Sequence, residues 1–298
     1  MLQEARPVAS MFTTFDRSMQ IRGMPIESCS KITAESLEPR ARMSASRLFS
    51  PLPDLIAQRG NTDEYPENTL PALRSALDLG ARHIGFDVQL TGDRQPILLN
   101  HSNLERMSGL ARNALEMSWS QLANISVSEP ERFQQKFTDI GVPTLAQAVS
   151  LVATHPAVTA FVEIKRASLR VFGADVVVRK ICEVLRPIVR QCVLVSRDLV
   201  AIHHVRQISS YRIGWLLSEY SSLSALKCEA LVPDYLLCDQ ELLTDGNAQL
   251  WRGPWRWVIL NVNSREAAAQ LARRGAVLVA TTSYRNVLRD FKSSAPRA

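Results

Sequence analysis

From Leu52 onward the chain alternates short apolar runs with longer stretches of helical period, and it does so eight times. The apolar runs lie at 55–57, 83–90, 160–165, 192–196, 212–217, 235–239, 257–262 and 277–281. Most are followed by segments with apolar residues at i, i+3 and i+4, such as 69–80, 175–189, 264–275 and 284–291. Alternation of this kind builds a parallel sheet covered by helices, and eight repeats predict one closed (β/α)8 TIM barrel. An open, doubly wound sheet is the alternative, but the first strand candidate lacks the GxGxxG turn of that architecture. An insertion at roughly 91–143 interrupts the alternation between the second and third strand candidates.

The first 50 residues read differently. They show no sustained period and no apolar signal core, and their acidic residues argue against a transit peptide. They are expected to be a disordered extension before a barrel at 51–298, and Met43 would permit a later start. At 46% hydrophobic, the 298 residues exclude wholesale disorder and can bury a large core without disulfides or metals. The five cysteines are odd in number, scattered and free of CxxC pairs, which argues for reduced thiols in the cytoplasm and against a disulfide framework or zinc ribbon. No run reaches the roughly 18 apolar residues of a membrane span, so a soluble protein without a transmembrane segment is expected. The net charge of +6 rests on scattered cations, only six of the 35 being Lys. Such an excess attracts anions such as phosphates but lacks the clustering that nucleic acid requires.

In a barrel, chemistry sits where strands end at their C-terminal face. The first strand candidate ends in Gln58-Arg59-Gly60 and runs into Glu67-Asn68-Thr69, a block suited to capping a helix. The second carries Gly85-Phe86-Asp87, the insertion holds His101 after an apolar run, and the third ends in Glu163-Ile164-Lys165. Strand residues two apart share a face, so Gly85 aligns with Asp87 and Glu163 with Lys165. Asp87 and Glu163 are hard oxygen ligands of the kind Mg²⁺ or Ca²⁺ takes, or they are salt-bridge partners of Arg59 and Lys165. Arg59 offers a fork and Lys165 a point charge to a phosphate, and His101 can exchange a proton near neutral pH. His203-His204 fall on a surface helix, and the 251–257 run WRGPWRW reads as aromatic packing under a loop opposite the mouth.

These blocks, in this order and spacing, resemble the glycerophosphodiester phosphodiesterase family of TIM barrels. That family's signature runs His-Arg-Gly, Glu-Asn-Thr, Glu-x-Asp-Val-x-x-Thr, His-Asp and Glu-x-Lys. This chain has QRG (58–60), ENT (67–69), GFDVQLT (85–91), HS (101–102) and EIK (163–165). The GVPTLAQAV stretch at 141–149 and Val262-Asn263 extend the likeness over about residues 53–292. The resemblance implies metal-assisted hydrolysis of a glycerophosphodiester to sn-glycerol 3-phosphate and an alcohol. Within it, His101 would be the general acid, Asp87 and Glu163 metal ligands, and Arg59, Lys165 and Glu67 substrate-binding residues.

Two positions of that machinery are replaced. Gln58 stands for the first catalytic His and Gly85 for the first metal carboxylate, while Ser102, Leu260 and Thr282 replace an Asp, a Trp and an Asp. A Gln amide can bond a phosphate oxygen but cannot exchange a proton near pH 7, and losing one such group typically costs about 10²–10⁴ in rate. A divalent ion would keep two carboxylates and bind weakly or not at all. The alternative to a hydrolase is therefore a catalytically impaired homologue (a pseudoenzyme) that binds a phosphorylated ligand or a protein partner.

Overall fold

The computed structural model describes residues 52–243 and 249–293, so the extension expected at 1–50 lies outside the described residues. Eight parallel strands close a barrel: β1 (Asp54–Gln58), β2 (His83–Leu90), β4 (Thr159–Ile164), β5 (Cys192–Ser196), β6 (Arg212–Leu216), β7 (Tyr235–Asp239), β8 (Arg256–Leu260) and β9 (Ala276–Thr281). β1 pairs with both β2 and β9, which closes the ring. The strand β3 (Pro96–Leu98) lies between β2 and β4 in sequence and runs antiparallel to β2. The barrel strands agree with the apolar runs of the sequence to within two residues.

Strand parity sorts the side chains. Ile56, Phe161, Val193, Val195, Leu216, Tyr235, Leu237, Val258, Leu260, Leu278 and Ala280 form one buried apolar cluster, the filling of a barrel whose inward residues alternate with outward ones. Gly214 supplies a small partner that these larger side chains need. A Cβ at Gly214 would lie 2.8 Å from Leu237 Cδ1, whereas one at Gly85 would meet Ile56 Cγ2 at an ordinary 3.6 Å. The outward residues make a second, larger core against the helices Leu70–Asp78, Leu145–Ala153, Ala174–Leu185, Leu199–Ile208, Ser222–Leu231, Arg265–Arg273 and Tyr284–Ser293.

Between β7 and β8 the described residues hold only a 3-10 turn, Gln240–Leu242. Aromatic side chains pack on the core there. Trp251 stacks on Tyr220 at 4.0 Å, and the indole N–H groups of Trp255 and Trp257 donate to the Trp251 carbonyl. The Trp run is thus aromatic packing, as its sequence suggested.

The insertion begins where β1 runs out. β1 reaches Gly85 on β2, and above that point β3 pairs with Val88–Leu90. Because β3 descends, its exit through Leu99, whose N–H donates to the Asp87 carbonyl, brings His101 back toward the mouth. The rest of the insertion packs on itself through Ile97, Leu104, Met107, Met117, Leu122 and Val127.

Candidate functional site

The turn after β1 is built for close approach. Arg59 and Gly60 both take positive φ (60° and 89°), and a Cβ at Gly60 would lie 2.5 Å from the Ala72 carbonyl carbon, so only glycine fits. Arg59 N–H donates to the Gly85 carbonyl and its own carbonyl accepts from Asn68 N–H, pinning the turn to β2 and to the segment before the first helix. Each residue of Glu67-Asn68-Thr69 then has a task. Thr69 caps Leu70–Asp78 by accepting from Ala72 N–H, Asn68 holds Asp87 and Glu67 holds arginines.

Register places the acidic pair. Asp87 and Glu163 are direct neighbours across the parallel β2–β4 pair, and both point into the mouth. Two cations neutralise them. Arg59 Nε lies 2.7 Å from Asp87 Oδ2, with its Nη1 3.0 Å from Glu67 Oε2. Lys165 Nζ lies 2.9 Å from Glu163 Oε1 and 3.4 Å from Asp87 Oδ1. Asn68 donates its amide to Asp87 Oδ2 at 2.9 Å and accepts Asp87 N–H at 3.0 Å.

Burial opposes ionisation of Asp87, but Arg59 and Lys165 overcome it and hold its carboxyl well below the usual range. Burial and the neighbouring Asp87 charge push Glu163 the other way, upward. Burial would lower the pKa values of Arg59 and Lys165, yet their carboxylate partners raise both above the ordinary range, so they stay charged.

His101 is exposed, and partial burial together with the charges of Arg106, Lys165 and Arg59 lowers its pKa. Its imidazole is therefore neutral at pH 7, ready to accept a proton before donating one. An anion seated on the cations would reverse that bias. Gln58 faces inward opposite Gly85, and its Oε1 is buried without a partner. The mouth pocket, ≈ 400 Å³ with its open end included, is charged at Arg59, Asp87 and Glu163 and apolar at Val195, Leu216, Leu237, Leu260 and Ala280.

Of the residues singled out in the sequence, Gln58, Arg59, Gly85, Asp87 and Glu163 line one mouth, and Glu67 and Lys165 are ion-paired to them. Exposed His101 lies within electrostatic reach of Lys165 and Arg59. The salt-bridge reading of Asp87 and Glu163 describes their contacts. The insertion adds residues that sequence reasoning missed. Arg106 pairs with Glu67 and, at 2.7 Å, with Glu129, which is almost fully buried and also takes Arg132 at 2.5 Å. Glu129 and Arg132 stand only three apart, but the partners of Arg106 lie 23 and 39 residues away, where local spacing marks nothing. The residues present do not fit a divalent ion. Asp87 spends both oxygens on Arg59, Asn68 and Lys165, Glu163 is engaged by Lys165, and Gly85 offers no ligand. Among the described residues no group of three or more His, Cys, Asp or Glu is placed to hold an ion.

A closed parallel barrel with cations and carboxylates gathered at its C-terminal rim is a TIM barrel with a charged mouth. The chain belongs to the glycerophosphoryl diester phosphodiesterase family, whose pattern it matches over residues 59–275, well over half its length. It is 30% identical over 141 residues to human glycerophosphodiester phosphodiesterase 1, covering 47% of this chain and 39% of that protein. It is 29% identical over 98 residues to a glycerophosphodiester phosphodiesterase of Caldanaerobacter subterraneus subsp. tengcongensis, covering 33% and 40%. The chain thus spans about two-fifths of the length of these curated relatives. Among solved structures it resembles an Oleispira antarctica phosphodiesterase in complex with the product sn-glycerol-3-phosphate, with TM-score 0.69, 19% identity, and coverage of 81% of this chain and 97% of that one. A second, from Silicibacter pomeroyi, has TM-score 0.68 at 19% identity, covering 81% and 94%. These likenesses establish the fold.

Proposed function

We propose that the barrel mouth binds a glycerophosphodiester, with its phosphate against Arg59, Lys165 and His101, and that hydrolysis to sn-glycerol 3-phosphate and an alcohol is strongly slowed. The observation that carries this reading is the closed Arg59–Asp87–Lys165–Glu163 cluster standing beside Gln58 and Gly85. Among the described residues Nη2 of Arg59 has no partner, so the fork keeps a donor for a ligand. A phosphate there would offset the cations around His101, raising its proton affinity and suiting it to protonate a departing alkoxide. Gln58 can bond a phosphate oxygen but supplies no second proton carrier.

The assay compares wild type with Gln58→His/Gly85→Glu on glycerophosphocholine, with and without added Mg²⁺, reading sn-glycerol 3-phosphate. Turnover by the double variant is expected to exceed wild type by about 100-fold or more. Wild-type turnover near the roughly 10 s⁻¹ of ordinary enzymes would overturn the reading of Gln58 and Gly85 as disabling. Gln58 also favours a second reading, in which the ligand is bound and never turned over. Calorimetric binding of sn-glycerol 3-phosphate with no turnover identifies that case.

Among the described residues no helix is long and apolar enough to cross a membrane. Cys182, Cys192, Cys228 and Cys238 are free thiols, which supports the reducing cytoplasm as the compartment.

A further inference from the structure

We propose that Lys165 serves as a built-in replacement for a divalent cation, and that the mouth recognises the phosphate of its ligand through Lys165 and Arg59 without a metal ion. The inference rests on the reading that the mouth takes a phosphorylated ligand.

The β2–β4 register sets Asp87 and Glu163 side by side at the same level of the barrel interior. Two carboxylates so placed need a cation between them. Lys165, two residues beyond Glu163 on the same face, puts its ammonium at 2.9 Å from one and 3.4 Å from the other. That cation is tethered by its own strand end and is never lost to solvent. A divalent ion entering the same place would have to displace Lys165 from both carboxylates and Arg59 from Asp87, leaving two cations facing it in a mostly buried pocket.

The third ligand that could tip this competition is missing. Position 85 is glycine, yet a Cβ there would meet nothing closer than 3.6 Å. The backbone at position 85 thus accepts a side chain without a clash at Cβ, and this chain supplies none. An ammonium and a guanidinium keep donors for a phosphate oxygen while held by carboxylates, so the cluster remains competent for an anion.

Two binding measurements on the full-length protein test this. Mn²⁺ binding is followed by electron paramagnetic resonance for wild type, Gly85→Glu and Asp87→Asn. Binding of sn-glycerol 3-phosphate is measured calorimetrically in EDTA and in millimolar Mg²⁺ for wild type, Lys165→Met and Lys165→Arg. Wild type is expected to show no saturable Mn²⁺ site and the same ligand affinity in EDTA as in Mg²⁺, while Gly85→Glu gains a Mn²⁺ site. Lys165→Met should weaken the ligand by about 10–100-fold, with Lys165→Arg recovering part of the loss and showing that the site still folds. A saturable micromolar Mn²⁺ site in wild type that Asp87→Asn removes, or a ligand affinity that EDTA abolishes, overturns the proposal. If sn-glycerol 3-phosphate binds under neither condition, the ligand reading falls and the phosphate half of this proposal with it. The Mn²⁺ arm then still decides whether Lys165 fills the cation position.

Discussion

Gly60 shows how little freedom the turn after β1 has. Its φ is 89°, and any Cβ at this position would come within 2.5 Å of the Ala72 carbonyl carbon, so Gly60→Ala must move the first helix away from the strand end. A loss of about 3 kcal/mol is expected from strain and overpacking, read as a lower denaturant midpoint. Asp87 gives a pH signature. Its folded pKa lies below the unfolded value near 4, so its stabilisation is full above that value and is lost as pH falls through the folded pKa. Glu163 has the opposite sign, its raised pKa giving stability that is present in acid and lost as pH rises. Asp87→Asn should therefore flatten the acid limb of the stability–pH curve below pH about 4. At neutral pH it should cost toward the lower end of about 3–5 kcal/mol, because Arg59 and Lys165 are each about one-fifth exposed and water can reach them. Equilibrium unfolding across pH checks both statements.

At the scale of elements, the insertion is held to the mouth by charge as well as by its own small core. Glu129, at positive φ and almost fully buried, ties Arg106 to Arg132, and Arg106 reaches across to Glu67. Glu129→Gln weakens two charge-assisted bonds at once. Amide exchange over 105–137 is expected to quicken by about 10-fold or more while the barrel strands keep their protection, and equal protection throughout would show that the apolar core alone holds the insertion. The strands and most helices were legible from the sequence because period 2 and period 3.6 are local properties. β3 was not, since three residues carry too little pattern and it exists only where β1 leaves the edge of β2 open. Arg106 and Glu129 were equally illegible, one lying on a four-residue helix and the other just ahead of a second, where no period can develop.

For the whole molecule, closure buries the strands on both faces, and their cysteines with them. Cys192 and Cys238 are wholly buried on β5 and β7, and burial pushes both thiols up to about 12. Cys228, buried on the helix Ser222–Leu231, is likewise raised to about 12. These three thiols should ignore Ellman's reagent in the native protein and react only on unfolding, and labelling located by mass spectrometry tests this. The sequence alone determined that eight strands would form, that helices would cover them, and that Arg59, Asp87, Glu163 and Lys165 would fall toward the C-terminal ends of the first three barrel strands. Those follow from local period and from the rule that strand ends share a face. Which oxygen meets which cation was decided by tertiary structure. The Arg59–Asp87–Lys165–Glu163 contacts depend on the registers of β1, β2 and β4, set by packing between segments up to a hundred residues apart. That packing turned a pair of candidate metal ligands into the partners of two resident cations.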